Sequence, residues 1–438
     1  MSEPMSAGCD ENLTLSRRGW LGASACLAMW GLMPRTVSAA GGRDPRLLTV
    51  ILRGGLDGLA LASPAGDPDL VRLRGRFAVT ASGDGAGLPL EGPFVLNPSM
   101  PYLHSLYAKR EALILHAVAT PYRERSHFDG QDVLESGLGG VGRLDSGWLN
   151  RALMGLASSG QANPAGFAAG KPKGLAMGAV VPLVMRGQAP VLSWIPQTFG
   201  APLRESTIAR LMDLYAQTDP GLAKAFADGI AMEQVAAVQG MTPPVKGRPQ
   251  KSATDTQQAT PNPSPPAFRE FVETAQAAAR FLSSADGPRI GCLSYNGWDT
   301  HANEGAIKGL LANRLAGLDA AIKAFAEGVG PAWKETVILI VTEFGRTARI
   351  NGTDGTDHGT GTVALVIGGA VRGGRVVAEW PGLSDKALHE NRDLRPTRDL
   401  RTVFKGVLRD HIGISDTVLA TDVFPSSAAA PGLAGLVI

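Results

Sequence analysis

The chain has 438 residues, enough for one large α/β domain or for two average domains. Hydrophobic residues make up 44% and charged residues 19%, which supports a buried core and excludes global disorder. The formal net charge is +2, from 42 Lys and Arg against 40 Asp and Glu. We therefore expect no nucleic-acid partner, because nucleic-acid-binding proteins concentrate basic residues. The 55 glycines and 30 prolines indicate many tight loops and disfavour a helical bundle.

The first 40 residues are predicted to be an export signal. Arg17 and Arg18 precede an uncharged stretch over residues 19–34, which is shorter than the roughly 20 residues of a membrane span. This arrangement is typical of a twin-arginine signal, and small residues at 38–40 provide a cleavage site. The alternatives are a membrane anchor, a buried helix or a lipoprotein signal ending at Cys26. We expect passage through the twin-arginine export machinery, a periplasmic or secreted location, and no stable membrane span after cleavage.

Cysteine use agrees with this route. Of Cys9, Cys26 and Cys292, only Cys292 would remain after cleavage, so an internal disulfide is excluded. Such a chain gains nothing from folding outside the cytoplasm. The twin-arginine route carries folded proteins, often with a cofactor already bound, which suggests a metal or another cofactor.

Short apolar runs separated by helical patterns indicate an α/β sheet covered on both faces. The runs predicted as strands are residues 47–52, 112–118, 289–294, 336–342 and 363–367. Helices are predicted over residues 268–283 and over 307–325, where apolar residues recur at near-helical spacing. Residues 241–267 contain seven prolines and no aromatic residue, which predicts a flexible surface insertion. We expect residues 41–438 to form a single domain with this insertion.

The residues with chemical potential adjoin the predicted strands. In an open α/β sheet, ligands bind beyond the carboxyl ends of the strands. The candidates next to the five runs, in chain order, are Asp57; Ser126 and His127; Asp299 and His301; Glu343; and Asp357 and His358. Carboxylates and imidazoles together suit Zn, Mn, Mg or Ca, depending on geometry. Ser126 is predicted to begin a helix, where the helix dipole and a nearby metal would favour a reactive hydroxyl and an anionic ester.

Each candidate also has a purely structural interpretation. Asp57 and Ser126 would be ordinary caps, His301 a structural histidine, and Glu343 with Arg346 a salt bridge. The loop-like composition around Asp357 permits a surface turn. The edge also carries four arginines that either bind an anion or neutralise local carboxylates, namely Arg53, Arg123, Arg125 and Arg346.

The remaining motifs do not indicate a function. Residues 137–142 (GLGGVG) match a dinucleotide-binding pattern but follow a predicted helix instead of a strand. The chain has no G-x-S-x-G elbow, no C-x-x-C and no H-E-x-x-H, which disfavours an α/β-hydrolase and the common zinc motifs. His104, His116, His389 and His411 lack a partner pattern and are interpreted as structural.

Five blocks together resemble a bacterial family of unknown function, domain of unknown function 1501, whose members usually carry twin-arginine signals. The blocks are residues 52–58 (LRGGLDG), 125–131 (RSHFDGQ), 297–301 (GWDTH), 342–347 (TEFGRT) and 357–361 (DHGTG). The family is placed in the alkaline phosphatase and sulfatase superfamily. The resemblance therefore implies a three-layer α/β/α sandwich with a mainly parallel sheet and a metal site at the strand ends.

The resemblance also implies roles for individual residues. Ser126 corresponds to a serine or threonine nucleophile and Asp57 to a metal-bridging aspartate. Asp299 and His301 resemble an Asp and His pair for one metal at shorter spacing, and His358 resembles the last histidine ligand. Glu343 falls where an Asp-His pair would hold a second metal, but the next residue is Phe344, which cannot ligate. The two-metal site is then either incomplete, with one metal or no catalysis, or uses another ligand such as Asp357.

Three functional hypotheses follow. The first is an exported, metal-dependent hydrolase of phosphate or sulfate esters, in which Ser126 attacks and His127 or a nearby arginine positions the anion. Its metal ligands would come from Asp57, Asp299, His301, Glu343, Asp357 and His358. The second is a non-catalytic protein that binds a small anionic ester or a polymer on a phosphatase-like scaffold. The third, an oxidoreductase, rests on the export signal alone and lacks a cofactor fingerprint.

Overall fold

The computed structural model describes residues 43–142, 144–158, 174–178, 180–194, 265–285 and 287–438, together with residues 211, 214 and 215. Contacts within the chain separate residues 1–43 from a compact unit, Asp44–Ile438. The predicted export signal with Cys9 and Cys26 lies outside the described residues. So does the predicted insertion at 241–267, apart from its last three residues, which begin a helix.

The described residues contain twelve strands in two sheets. In chain order they are β1 (Arg46–Arg53), β2 (Ala62–Ser63), β3 (Leu88–Pro89), β4 (Val95–Leu96), β5 (Ala112–Ala119), β6 (Gly174–Met177), β7 (Val191–Trp194), β8 (Ile290–Asn296), β9 (Thr336–Thr342), β10 (Thr362–Ile367), β11 (Arg375–Val377) and β12 (Arg398–Asp399). All five predicted strands are present. The short strands β6 and β7 lack a long apolar run and escaped sequence analysis.

Nine α-helices accompany these strands in the described ranges. They are α1 (Gly58–Leu61), α2 (Leu70–Arg74), α3 (Pro101–Ala108), α4 (His127–Ser136), α5 (Trp148–Ser158), α6 (Pro265–Ser283), α7 (Leu310–Val329), α8 (Leu400–Val407) and α9 (Asp416–Val418). The predicted helix at 268–283 is α6. The helix predicted from Ile307 begins later, after Gly309, whose φ of 147° breaks the helical path. None of these helices combines the length and the apolarity that a membrane span requires.

The central sheet has the order β11-β5-β10-β9-β1-β8-β6-β7, and β12 also pairs with β5. β1 pairs in parallel with both β8 and β9, so the middle of the sheet has the predicted parallel arrangement. β10 is antiparallel to both of its neighbours, β5 and β9. The connection from β9 to β10 contains no helix, as is common between antiparallel strands, whereas a connection between parallel strands usually includes one.

Helices cover both faces of this sheet. On one face, α6 and α7 supply Phe271 and Leu315, which belong to a buried cluster with Leu48 and Val50 of β1. On the other face, Trp148 of α5 stacks on Phe404 of α8 with ring centroids 4.7 Å apart. Both aromatic residues belong to a second cluster that includes Leu47 and Ile51 of β1.

Alternate residues of β1 therefore enter opposite hydrophobic layers, as successive side chains of a strand must. This arrangement explains the continuous apolar run of β1, because a strand buried on both faces has no solvent-facing side to keep polar. The predicted three-layer α/β/α sandwich with a mainly parallel sheet is confirmed.

β5 carries one irregular position. Ala117 has a left-handed φ of 53°, and the pairing with β10 shifts register between Thr362 and Val363. The adjacent His116 is fully buried, and its Nδ1 accepts a hydrogen bond from the Ala117 amide at 2.8 Å. Its Nε2 lies 2.8 Å from the carbonyl oxygen of Ala62, to which it donates. Burial lowers the pKa of His116 to about 4, so the ring is neutral at pH 7.

This burial predicts an acid-dependent loss of stability. The unfolded chain binds a proton at His116 below about pH 6.5, whereas the folded protein excludes it until about pH 4. The contribution of this ring is therefore complete above pH 6.5 and is lost as the pH falls. We expect the difference in free energy of unfolding between wild type and His116→Gln to shrink by about 2–3 kcal/mol from pH 7 to pH 4.5. Urea denaturation at both pH values measures this, and an unchanged difference would contradict the assignment.

Candidate metal centre

The segments that carry the predicted site residues meet at one edge of the sheet. β1, β5, β8 and β9 end at this edge, and β10 begins there because it runs in the opposite direction. The loops after β1 and β8 approach very closely. A Cβ on Gly54, whose φ is +120°, would lie 2.5 Å from the amide nitrogen of Asp299, so only glycine permits this contact.

Three imidazoles and one carboxylate converge at this edge. The Nε2 atom of His358 lies 2.9 Å from Nε2 of His127 and 3.0 Å from Nε2 of His301. Asp299 Oδ1 lies 2.9 Å from His301 Nε2 and 3.2 Å from His358 Nε2. Asp299 Oδ2 lies 3.5 Å from His127 Nε2. We call these four residues the histidine cluster.

Each imidazole is held from behind through its other nitrogen. His127 Nδ1 lies 2.8 Å from Glu343 Oε1, and His301 Nδ1 lies 3.2 Å from Asp357 Oδ1. His358 Nδ1 lies 2.9 Å from the carbonyl oxygen of Arg125. Because all three partners are acceptors, each favours a proton on Nδ1, which leaves the Nε2 lone pair of a neutral ring free to ligate. Histidine ligands of metals are oriented by outer partners of this kind.

Such a convergence could hold a metal ion. His358 Nε2 has one lone pair, yet it faces two further nitrogens and a carboxylate oxygen at 2.9–3.2 Å. Hydrogen bonds among these atoms would satisfy at most part of the group. Ligand atoms bound at about 2.0–2.1 Å to one tetrahedral ion lie about 3.3–3.4 Å apart, slightly farther than the separations of 2.9–3.2 Å around His358 Nε2. The donors of His127, Asp299 and His358 alone lie within 4.8 Å of one another and could hold a metal ion.

The charges of the cluster follow from burial and hydrogen bonding. Burial opposes ionisation of Asp299, but Arg346, bonded to its Oδ1 at 2.6 Å, holds the pKa of that carboxyl below its usual value. Burial also lowers the pKa of His358, which keeps its ring neutral and able to ligate. The hydrogen bond to Glu343 raises the pKa of His127, since the carboxylate stabilises the protonated ring.

Glu343 lies behind the cluster and not within it. Its side chain is fully buried, and its Oε1 accepts hydrogen bonds from the Gly54 amide at 2.8 Å and from Gln131 Nε2 at 3.2 Å. Burial alone would raise the pKa of Glu343, but the hydrogen bonds from His127, Gly54 and Gln131 bring it below the usual value. The residue is therefore ionised and fixes the tautomer of His127.

Phe344 forms an apolar support for two rings of the cluster. Its ring centroid lies 4.8 Å from that of His127 and 5.3 Å from that of His358. A Cβ added to Gly55 or to Gly130 would meet the Phe344 ring at 3.0 Å. Phe344 cannot ligate a metal, but its packing restricts the ring orientations of His127 and His358, which can.

Asp57 is placed elsewhere. Its carboxylate forms a two-point ion pair with Arg74, whose Nη2 lies 3.0 Å from Oδ1, and both side chains are buried. Oδ1 also caps α1 by accepting from the Leu59 amide at 3.1 Å. Burial, together with the negative charge of Asp57, raises the pKa of the neighbouring Glu304. The structure gives Asp57 a guanidinium partner where the sequence predicts a metal.

Ser126 is the N-cap of α4 and directly precedes His127. Its Oγ accepts from the Asp129 amide at 3.5 Å, a long contact, and its side chain also interacts with the Tyr122 hydroxyl. The Ser126 amide donates to the Tyr122 hydroxyl at 3.0 Å, which fixes the start of the helix.

Three of the four edge arginines are neutralised by carboxylates. Arg53 pairs with Glu135, Arg125 with Glu390 and Asp393, and Arg346 with Asp299. Arg123 instead donates to the carbonyl oxygens of Thr120 and Tyr122. Within the described residues, Arg123 has no carboxylate at salt-bridge distance.

Sequence reasoning placed Asp299, His301 and His358 in the ligand set, and the structure brings their donor atoms together. It assigned His127 to anion positioning, whereas the structure directs its Nε2 into the cluster. Glu343 and Asp357 were expected to ligate and instead hold His127 and His301. Arg74 was missed because no local pattern links residue 74 to residue 57.

Metal content tests the cluster directly. We expect the purified wild type to bind one divalent ion per chain, and His301→Ala and Asp299→Ala to lose it. Asp57→Asn should keep the metal but lose about 3–5 kcal/mol of stability, because Arg74 would remain buried without its partner. Elemental mass spectrometry and urea denaturation measure both effects, with His104→Ala as a control outside the cluster. Metal loss in Asp57→Asn with unchanged stability would return Asp57 to the ligand set.

The support of His127 by Glu343 makes a separate prediction. Glu343→Gln should weaken metal binding by about 10–100-fold, since loss of an outer partner disturbs ring orientation and basicity. The control is Glu111→Gln, which alters a carboxylate bonded to Trp333 near the opposite end of β5. Competition with a chromophoric chelator gives both affinities. Equal affinities in the two variants would rule out a supporting role for Glu343.

Comparison with known proteins places the chain in a family but assigns no reaction. A search of curated proteins finds no match. Solved structures that align with this chain include an alkaline phosphatase superfamily protein from Vibrio parahaemolyticus, with 11% identity and a TM-score of 0.32 over 75% of this chain and 60% of that one. The chain thus aligns with only 60% of the length of the Vibrio protein.

Two further structures are a phosphonate monoester hydrolase and a sulfatase. The hydrolase, from Agrobacterium radiobacter, has 11% identity and a TM-score of 0.39 over 85% of this chain and 74% of that one. The sulfatase, from a Pseudoalteromonas species, has 13% identity and a TM-score of 0.34 over 94% and 74%. Likenesses at this level identify no substrate for this chain. The family model described as "Protein of unknown function (DUF1501)" matches residues 109–423, and the chain therefore belongs to the DUF1501 family.

Proposed function

We propose that this protein is an exported, metal-dependent hydrolase of phosphate or sulfate esters that uses one cation. The observation that carries the proposal is the histidine cluster, in which the ligand atoms of His127, Asp299 and His358 lie within 4.8 Å of one another and His301 Nε2 lies 3.0 Å from His358 Nε2. Asp299 and His301 keep 40% and 46% of their side-chain surface exposed, so a ligand can reach this point from solvent.

The donor set favours a nitrogen-preferring ion. Three imidazoles and one carboxylate suit zinc better than magnesium or calcium, which prefer oxygen ligands. When bound, the ion would polarise an ester oxygen and stabilise negative charge that develops on it. His127, His301, His358 and Asp299 would hold the ion.

Ser126 is the proposed nucleophile. Its Oγ would form a bond to phosphorus or sulfur while the bond to the alcohol oxygen of the ester breaks and the departing alcohol takes up the serine proton. Water would then attack the seryl ester, release the inorganic acid and restore the serine hydroxyl. The hydroxyl suits this role because its cap contact is long and its neighbour His127 belongs to the cluster. Arg123, three residues away, is the proposed anion-binding arginine because no carboxylate neutralises it in the described structure.

A specific observation also favours a second candidate function, a non-catalytic protein that binds an anionic ester or polymer. Asp57 is tied to Arg74, and Phe344 supplies no ligand, so the residues predicted for a second cation do not gather around one. A site with one ion could bind an anion without cleaving it. Turnover separates the two candidates.

The export route belongs to the same proposal. Its support is the twin-arginine pattern at residues 16–21 and the single cysteine, Cys292, of the exported part, which is buried and free. We propose a periplasmic or secreted location and delivery by the twin-arginine machinery with the metal already bound.

Substitution of Ser126 tests the reaction. In a screen of aryl phosphate and aryl sulfate esters with zinc-loaded protein, Ser126→Ala should lower turnover by about 1000-fold or more and retain its metal. The matched control is Ser415→Ala, because Ser415 is likewise an N-cap serine, with its Oγ 3.4 Å from the Val418 amide. Wild-type turnover in Ser126→Ala would exclude the serine as nucleophile. No turnover by any metal-loaded form would favour the binding protein.

A further inference from the structure

A tight turn over residues 389–392 lies beside the histidine cluster and has an unusual backbone. The His389 carbonyl accepts from the amides of Arg392 and Asp393 at 3.0 Å each. The two central residues, Glu390 and Asn391, both have left-handed φ values, 52° and 54°. Turns of this kind favour Asn, Asp or Gly at the central positions, so glutamate at the first of them is disfavoured locally.

The side chains of this turn hold Arg125. Glu390 Oε2 accepts from Arg125 Nη2, and Asp393 Oδ2 accepts from Arg125 Nε at 2.9 Å. Asp393 is fully buried, and its other oxygen accepts from Arg392 at 3.0 Å. The conformation of the turn therefore directs two carboxylates at one guanidinium.

Arg125 itself has a left-handed backbone, with φ of 64°. A non-glycine residue keeps this conformation only where its surroundings impose it, and the two ion pairs supply that constraint. The result is a carbonyl oxygen aimed at the cluster, where it accepts from His358 Nδ1 at 2.9 Å. The turn that contains Glu390 and Asn391 thus holds Arg125, and the Arg125 carbonyl holds the His358 ring.

We propose that Arg125, anchored by Glu390 and Asp393, is the positioning residue of His358. Its carbonyl holds the Nδ1–H of the ring, which leaves the Nε2 lone pair directed at the metal. Nothing else in the described structure bonds to His358 Nδ1. The inference rests on the metal centre of the proposed function and does not depend on which ester, if any, is hydrolysed.

Two variants and a matched control test this role by metal binding. Arg125→Gly permits the same φ but removes both anchors, and should weaken zinc binding by about 10–100-fold. Glu390→Gln removes only the exposed anchor and should weaken it by a few-fold. The control is Glu379→Gln, because Glu379 forms a similar exposed pair with Arg398 at 2.7 Å in another part of the protein. A fall in the two test variants but not in the control supports the proposal.

Two spectroscopic readouts separate positioning from general destabilisation. With cobalt in place of zinc, the visible spectrum of Arg125→Gly should change in shape, since one imidazole is displaced, whereas a merely less stable protein would keep the wild-type shape. In the metal-free protein, nitrogen NMR should show His358 protonated at Nδ1 in wild type and in a mixture of tautomers in Arg125→Gly.

The outcomes distinguish this inference from the proposed function. Wild-type affinity and an unchanged cobalt spectrum in both variants would overturn it, whatever the turnover. If wild type bound no metal, the proposed hydrolase would fail, and the NMR result would still decide the inference. An unchanged His358 tautomer in Arg125→Gly would then overturn it, and a changed one would support it.

Discussion

The candidate site depends on one constraint, that a neutral imidazole has a single lone pair. His358 Nε2 lies 2.9–3.2 Å from atoms of His127, His301 and Asp299, and one lone pair cannot satisfy all three contacts. The surrounding residues serve to hold that arrangement. A carboxylate or a carbonyl occupies each Nδ1, so the proton is kept on the outer side of every ring. A cation is the simplest group that relieves the repulsion among the inner nitrogens.

The reversed direction of one strand makes this convergence possible. His127, Asp299, His301 and Glu343 follow strands that end at the same edge, as expected in a parallel sheet. His358 precedes its strand and reaches that edge because β10 is antiparallel to β5 and β9. A parallel β10 would have carried His358 to the opposite edge of the sheet.

Buried arginines set the charge of the site. Arg346 is fully buried and pairs with Asp299, and Arg74 is buried with Asp57. Arg74 offsets the charge of Asp57, whereas Arg346 lowers the pKa of Asp299 and favours its ionised form. Asp299 is therefore the one carboxylate among the imidazoles, which suits a single ion better than two. Phe344 adds no further ligand, because its apolar ring only packs against His127 and His358.

The sequence by itself determined the five long strands, the layered fold and the segments that meet at the site. These features follow from local patterns, since strands buried on both faces must be continuously apolar and polar residues gather where such strands end. Sequence patterns also identified Asp299, His301 and His358 as residues with donor atoms near one another. These patterns could not distinguish residues that supply donor atoms to the histidine cluster from residues that hydrogen-bond to the cluster from outside.

Only the tertiary structure decided those roles. Glu343 and Asp357 carry the same carboxylate as Asp299, but the path of the backbone places them behind a ring instead of in front of it. Asp57 meets Arg74 through a loop whose course no local pattern reveals. Arg125, whose backbone is left-handed, pairs with two carboxylates more than 260 positions away along the chain. The amino-acid type determines which chemistry a side chain can supply, and long-range packing determines the direction in which that side chain points.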